Sequence, residues 1–306
     1  MRVAAATAVT TAARQPTITR VDSQTFIDRM FERGSGPVGR RITDPSQLLG
    51  APLTVLTGKP VPADQFTPRR NATQAYQERT LVPTRATVDG QGAEFWAAFA
   101  RRLVAAELPG AAKNIDRYNA HHPRKLSKDV AVDAGDFGRG TSFGPGGVAY
   151  PPAAGATYLG NDQKVHVTIN TRVQNGIAQT VAHELGHLRN GDPMLVDEAT
   201  QAKDPLRYEV AANKVCGEIF AQRGIPLEMA VIGFSTQPWG EALTRNVDAF
   251  AAGYYAKAPL SAAEKKTATS NLRALVVQAH DSYNREQRRQ QRESDPRGRG
   301  GWPLPH

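Results

Sequence analysis

A chain of 306 residues carrying 38 Lys and Arg against 29 Asp and Glu, a formal charge of +9, has room for one large domain or two modest ones, and its 40% apolar residues are enough for a real core. The single cysteine, Cys216, excludes an internal disulfide and a cysteine-built zinc cluster, so any metal must be held by histidine and carboxylate. No apolar run approaches the length of a membrane span, and the charge alone does not choose among nucleic acid, anionic lipid, an acidic protein and plain solvent.

Residues 1 to 90 read as largely disordered, a linker or export region. They are rich in Thr, Ala, Arg, Gln and Pro, as in "GKPVPADQFTPRRNATQ". The first sixteen residues are too broken by threonine for a secretory leader, which suggests a protein kept in the cytoplasm of its cell or exported by a non-Sec route. One stretch, "SQTFIDRMFER", predicts a short helix with Phe26, Ile27, Met30 and Phe31 on one face.

The folded part is expected over residues 91 to 285. "AEFWAAFARRLVAAEL", residues 93 to 108, predicts a helix with Phe95, Phe99 and Leu103 in one stripe and Trp96 beside them; Pro109 and Gly110 are expected to end it, with a second helical piece near Ile115 to Tyr118. Residues 135 to 160 read as a long glycine- and proline-rich loop, either plain surface or a flap over a site. "KVHVTIN", residues 164 to 170, alternates as a half-buried strand with His166 on its polar face, a rim histidine or a substrate contact.

The chemistry concentrates in "TVAHELGHLRNGD", residues 180 to 192. A helix is predicted from Asn175 or Gly176 to Gly191, with Ile177, Val181, Leu185 and Leu188 as its apolar stripe. His183 and His187 then project from one side, one turn apart, and can reach a single ion held at about 2 Å from each donor. Glu184 is rotated by about 100° from His183, beside the ion rather than on it, where a base must sit to take a proton from a bound water. Gly186 costs about 1 kcal/mol against Ala in a helix, which suggests that something approaches closely there.

A catalytic zinc needs a third protein ligand. Asp192 is one candidate; the stronger one lies in "DPLRYEVAANKVCGEIFAQRGIP", where Asp204 caps a helix, Pro205 opens it and Gly224 closes it. Laid antiparallel to the first helix, this one offers Glu209 to the metal, with Ala212 permitting close approach and Asn213 able to orient a ligand; Cys216 reads as a small buried residue. His183-Glu184-Leu185-Gly186-His187, followed by Glu209-x-x-Ala212-Asn213, resembles the ImmA/IrrE type of zinc-dependent bacterial metallopeptidases within the broader zincins. The resemblance covers residues 160 to 226 and departs from the family after Asn213; no helix-turn-helix module accompanies it. It implies an α+β fold, a small sheet packed on two ligand-bearing helices, with "KVHVTIN" as the strand nearest the cleft.

Further on, Ala242, Val247, Phe250 and Tyr254 mark another helix, and Ser261 with Glu264 forms a capping box that opens a long one through Leu272, Leu275, Val276, Ala279 and Tyr283. Residues 286 to 306 read as a basic flexible tail without the interleaved aromatic residues that stacking on nucleic acid requires. The expectation is a zinc peptidase with His183, His187 and Glu209 as ligands and Glu184 as base, acting on a protein or peptide, with the loose front pointing to a bacterial effector or toxin. His166, Tyr208 and Tyr254 are open candidates for the oxyanion donor. A non-catalytic metal-dependent sensor or binding module, and a nucleic-acid binder using the basic ends, are the alternatives.

Overall fold

The computed structural model describes residues 17–31, 44–59, 92–135, 154–171, 176–237 and 240–294. It is a mixed fold of helices and two small sheets. Among the described residues no helix is long and apolar enough to cross a membrane.

The N-terminal part departs from the linker reading. Strand β1 (Ile18–Asp22), helix α1 (Ser23–Phe31) and strand β2 (Leu53–Thr57) form a crossover unit, with β1 and β2 parallel and Ile18 in register with Leu53. Val21, Phe26, Ile27, Leu48, Leu53, Val55 and Leu56 are all buried. Two strands cannot hold themselves together in water, and the sheet is stable because the C-terminal helices cover it. Asn271 donates to the carbonyls of Thr57 and Gly58 at 3.2 Å each, and the Thr54 amide donates to the Tyr254 hydroxyl at 2.9 Å. Of residues 1–90, on which the linker or export reading rests, 1–16, 32–43 and 60–90 lie outside the described residues.

Helix α2 (Gly92–His121) runs straight through the expected stop at Pro109. Proline in a helix interior costs about 3 kcal/mol. The apolar stripe continues beyond it, however, and burying Ala111 and Ile115 after Phe99 and Leu103 offsets that cost. Arg223 donates to the Ala106 carbonyl at 3.0 Å, beside the turn that the proline disturbs, and Asn114 donates to the Arg189 carbonyl at 2.8 Å.

Strands β3 (Val130–Gly135), β4 (Gly155–Leu159) and β5 (Val165–Asn170) form one sheet in the order β3-β5-β4, with β3 parallel and β4 antiparallel to the central β5. Val165, Val167 and Ile169 are fully buried, as the alternation predicts. Thr168 and Asn170 on the other face are buried as well. The end of the expected loop is therefore strand β4; residues 136–153, on which the flap reading rests, lie outside the described residues.

The site helix is α3 (Ile177–Asn190), set between Gly176 and Gly191, whose φ of 82° suits the left-handed C-terminal cap. Two short helices, α4 (Asp192–Leu195) and α5 (Glu198–Lys203), lead to α6 (Pro205–Arg223). The Asp204 side chain caps α6 by accepting from the Arg207 amide at 3.2 Å. Helix α7 (Leu227–Ser235) is apolar nearly all round and buried, α8 (Glu241–Tyr254) lies along α6, and α9 (Ala262–Ser294) closes the fold. In α8 the buried face includes Leu243, Val247, Phe250 and Tyr254, whereas Ala242 is exposed. The Ser261 and Glu264 capping box forms, and α9 continues to Ser294, past the point where the flexible tail was expected to begin. The three-stranded sheet packs on α3, and α6 lies between α3 and α8.

Candidate metal centre

Close helix packing sets the geometry of the site. A Cβ on Gly186 would sit 2.4 Å from the Ala212 carbonyl oxygen, so α3 and α6 touch backbone to backbone at that point. The visitor that the cost of Gly186 implied is thus the second helix itself. On the far side of α6 a Cβ on Gly217 would lie 2.0 Å from the Phe250 carbonyl oxygen, so α8 presses α6 from behind. Arg189 on α3 pairs with Glu218 on α6 at 3.1 Å and reinforces the helix pair at its other end.

Three turns of this interface place His183, His187 and Glu209 together. Their nearest donor atoms lie within 4.8 Å of one another. His183 Nε2 and His187 Nε2 are 3.1 Å apart, His183 Nε2 is 3.0 Å from Glu209 Oε2, and His187 Nε2 is 3.5 Å from Glu209 Oε1. A tetrahedral ion with bonds of 2.0–2.1 Å separates its ligands by about 3.3 Å. The three measured separations straddle that value, and two histidines with one glutamate are a donor set that zinc accepts, so the residues fit the ion. Glu209 leaves 47% of its side chain open to solvent, against 13% for His183 and 15% for His187, so the approach is from the glutamate side.

Asp192 does not join the cluster as a ligand. Its carboxylate lies 2.8 Å from the other nitrogen of His187, Nδ1, and its carbonyl accepts from Gln201 at 2.9 Å. An imidazole that donates from Nδ1 presents its Nε2 lone pair, so Asp192 sets the tautomer and orientation of His187. His183 Nδ1 has no such partner among the described residues. Asn213 donates to the Glu209 backbone carbonyl at 3.0 Å and accepts from Gln179 at 3.3 Å, tying α3 to α6 without touching a side chain of the cluster. Cys216 is fully buried, and burial pushes its thiol well above the usual range.

Glu184 is buried and points to the sheet. Thr157 of β4 meets it twice, with its hydroxyl 2.9 Å from Glu184 Oε2 and 3.0 Å from the Glu184 carbonyl. The hydroxyl has one proton, so it donates to one of these at a time. Strand β4 can lie this close because Gly155 has no side chain: a Cβ there would sit 2.9 Å from Glu184 Cγ. Nothing in the sequence marks Thr157 or Gly155; both depend on strand register.

The electrostatics follow from this crowding. Burial opposes a charge on His187, but Asp192, Glu209 and nearby Glu184 outweigh it and raise the pKa to about 10. Burial likewise opposes the Glu209 carboxylate, and the two histidines overcome it, holding Glu209 far below the ordinary carboxylate range. Of the candidate oxyanion donors, Tyr254 is buried in the core with its hydroxyl against β2, and His166 is held between two carboxylates on the sheet; Tyr208 remains half-buried on α6 next to Glu209. Tyr255 is also core.

No family model, no curated protein and no solved structure matches the chain, so a functional reading has to come from the geometry of this site.

Proposed function

We propose that the chain is a zinc-dependent peptidase of the zincin type, with His183, His187 and Glu209 holding the ion and Glu184 acting as general base. The convergence of three donors at tetrahedral separations, with a buried carboxylate one residue from the first histidine, is the observation that carries this reading. Bound zinc would supply a water of lowered pKa and polarise a peptide carbonyl. Glu184 would serve as the general base, accepting a proton at its carboxylate and returning it to the leaving amine, and Thr157 fixes the direction of that carboxylate. Asp192 keeps His187 in the ligating tautomer. The exposed side of Glu209 leaves the cluster accessible to solvent, and so to a substrate, from that direction.

Elemental analysis of the purified protein tests the ion and its third ligand together. About one zinc per chain is expected for the wild type, and loss of bound zinc in His183→Ala and Glu209→Ala after gel filtration at micromolar concentration. A Glu209→Ala protein that keeps its full complement would remove Glu209 from the ligand set.

Protons and metal compete for His187. Its pKa is raised from 6.5 to about 10, so its stabilising contribution to the metal-free protein is full below about pH 6.5 and fades as pH rises through about 10. The ring must lose that proton to bind a cation. Titrating zinc into metal-free protein at pH 7 to 8 should therefore release about one proton per ion from this ring, as read with an indicator dye in weak buffer. Zinc binding with no proton release would contradict the charged His187 pair.

A further inference from the structure

On the outer face of the three-stranded sheet, away from α3, His166 stands between two carboxylates. Its Nδ1 lies 2.9 Å from Asp133 Oδ2 on β3, and its Nε2 lies 3.0 Å from Asp162 Oδ1 in the turn joining β4 to β5. The ring stacks on Tyr158 of β4, with centroids 5.1 Å apart and planes 12° off parallel. One side chain thus touches all three strands and the turn. Nothing in the reaction proposed above uses it.

Elementary hydrogen bonding decides what state this arrangement holds. A neutral imidazole has one N–H and one lone pair, and an ionised carboxylate only accepts. Both contacts are hydrogen bonds only when the ring carries two protons. Asp133 and Asp162 leave 48% and 50% of their side chains in solvent, so both carboxyl groups stay hydrated. The remaining charged groups nearby do not supply a replacement: Arg124 donates to the carbonyls of Gly160 and Asn161 in the same turn, and Lys164 meets Asp162 through its backbone amide at 3.2 Å.

We propose that the His166 imidazolium is a proton-dependent staple of the sheet, and that its deprotonation releases one carboxylate and loosens β4, the edge strand that carries Thr157 to Glu184. The register supports the coupling. Tyr158 is paired with His166 and Thr157 with Val167, so the stapled residue and the one touching Glu184 are neighbours on opposite faces of β4. The turn is tight as well: a Cβ on Gly160 would lie 2.5 Å from both His166 Nε2 and Asp162 Oδ1, so the turn closes directly on the ring. Burial opposes the charged ring, yet the two aspartates outweigh it and raise its pKa, while the His166 contact lowers that of Asp162. With a folded-state pKa above 6.5, the staple is complete below about pH 6.5 and is lost as pH rises through the raised value. The staple requires no zinc.

Thermal unfolding of the full chain between pH 6 and 9 tests it, with wild type compared to Asp162→Asn and His166→Gln. An asparagine at 162 can donate to the lone pair of a neutral ring, so Asp162→Asn keeps both contacts without the second proton. Relative to either variant, the wild-type Tm is expected to fall by about 2–4 °C across this range. Amide exchange in Gly155–Leu159, corrected for the intrinsic effect of pH, should rise severalfold over the same limb in the wild type alone. Parallel pH curves for wild type and Asp162→Asn would overturn the proposal, and that pair decides the matter even if His166→Gln does not fold.

Discussion

Replacing Glu184 by glutamine should reduce peptide hydrolysis by about 10²–10⁴-fold while leaving about one zinc per chain, the effect expected for removal of a general base. Glutamine keeps the shape of the side chain and an oxygen that accepts from Thr157, which lies 2.9 Å from the carboxylate. What it loses is the ability to take a proton. Glu184 is not among the three clustered donors, so the ion should stay. The measurement is the appearance of new amino termini in a peptide library, alongside metal content, with a chelator control in which activity is lost and then restored by zinc. Equal activity in the two proteins would remove Glu184 from the mechanism. It would leave the metal-dependent sensor or binding module as the reading of the same cluster, because a binding role does not need the base.

Gly186→Ala should both destabilise the fold and disperse the metal site. In an isolated helix the change is favourable by about 1 kcal/mol. Here the added carbon would sit 2.4 Å from the Ala212 carbonyl oxygen and 2.9 Å from its carbonyl carbon and Cα. The obstacle is helix backbone, which cannot swing aside as a side-chain tip can, and overpacking of this kind costs typically 1–3 kcal/mol. Packing outweighs propensity, and Tm should drop by about 2–8 °C. The helices can relieve the clash only by separating. Glu209 lies one turn before Ala212 on the helix that must move, and ligand positions tolerate only about 0.2 Å. Zinc should therefore bind about ten- to a hundredfold more weakly, the penalty typical of disturbing a site's support. Unchanged Tm and unchanged zinc affinity, measured by thermal unfolding and competition with a chelating dye, would show that the close approach does not hold the cluster together.

The residues legible from sequence are those whose relation is local. His183, Glu184 and His187 lie on one helix, and 3.6 residues per turn fixes their directions whatever surrounds them. Glu209 was within reach because Asp204, Pro205 and Gly224 delimit its helix and Gly186 and Ala212 are small enough to meet. The strand Val165–Asn170 was visible in its alternation. The capping box of Ser261 and Glu264 was visible in its spacing.

What sequence pattern missed depends on contacts between distant segments. Pro109 looked like a stop because propensity is judged locally, but the core on both sides of it carries α2 through to His121. Gly155–Leu159 looked like loop because its composition suits one; β5 supplies its hydrogen bonds, and the helix beneath makes Gly155 necessary. The parallel pair β1 and β2 was hidden in a region of loose composition, since two strands become stable only where C-terminal helices cover them. Asp192 beside His187 and Thr157 beside Glu184 likewise owe their parts to the folded arrangement of chain segments around the site helix. The sequence by itself determined two histidines on one turn-spaced face and a glutamate rotated about 100° from the first of them, because helix geometry is a property of the local chain. Only the tertiary structure decided which carboxylate completes the cluster, which one orients His187 and which strand touches Glu184, because those outcomes depend on how closely one backbone can approach another.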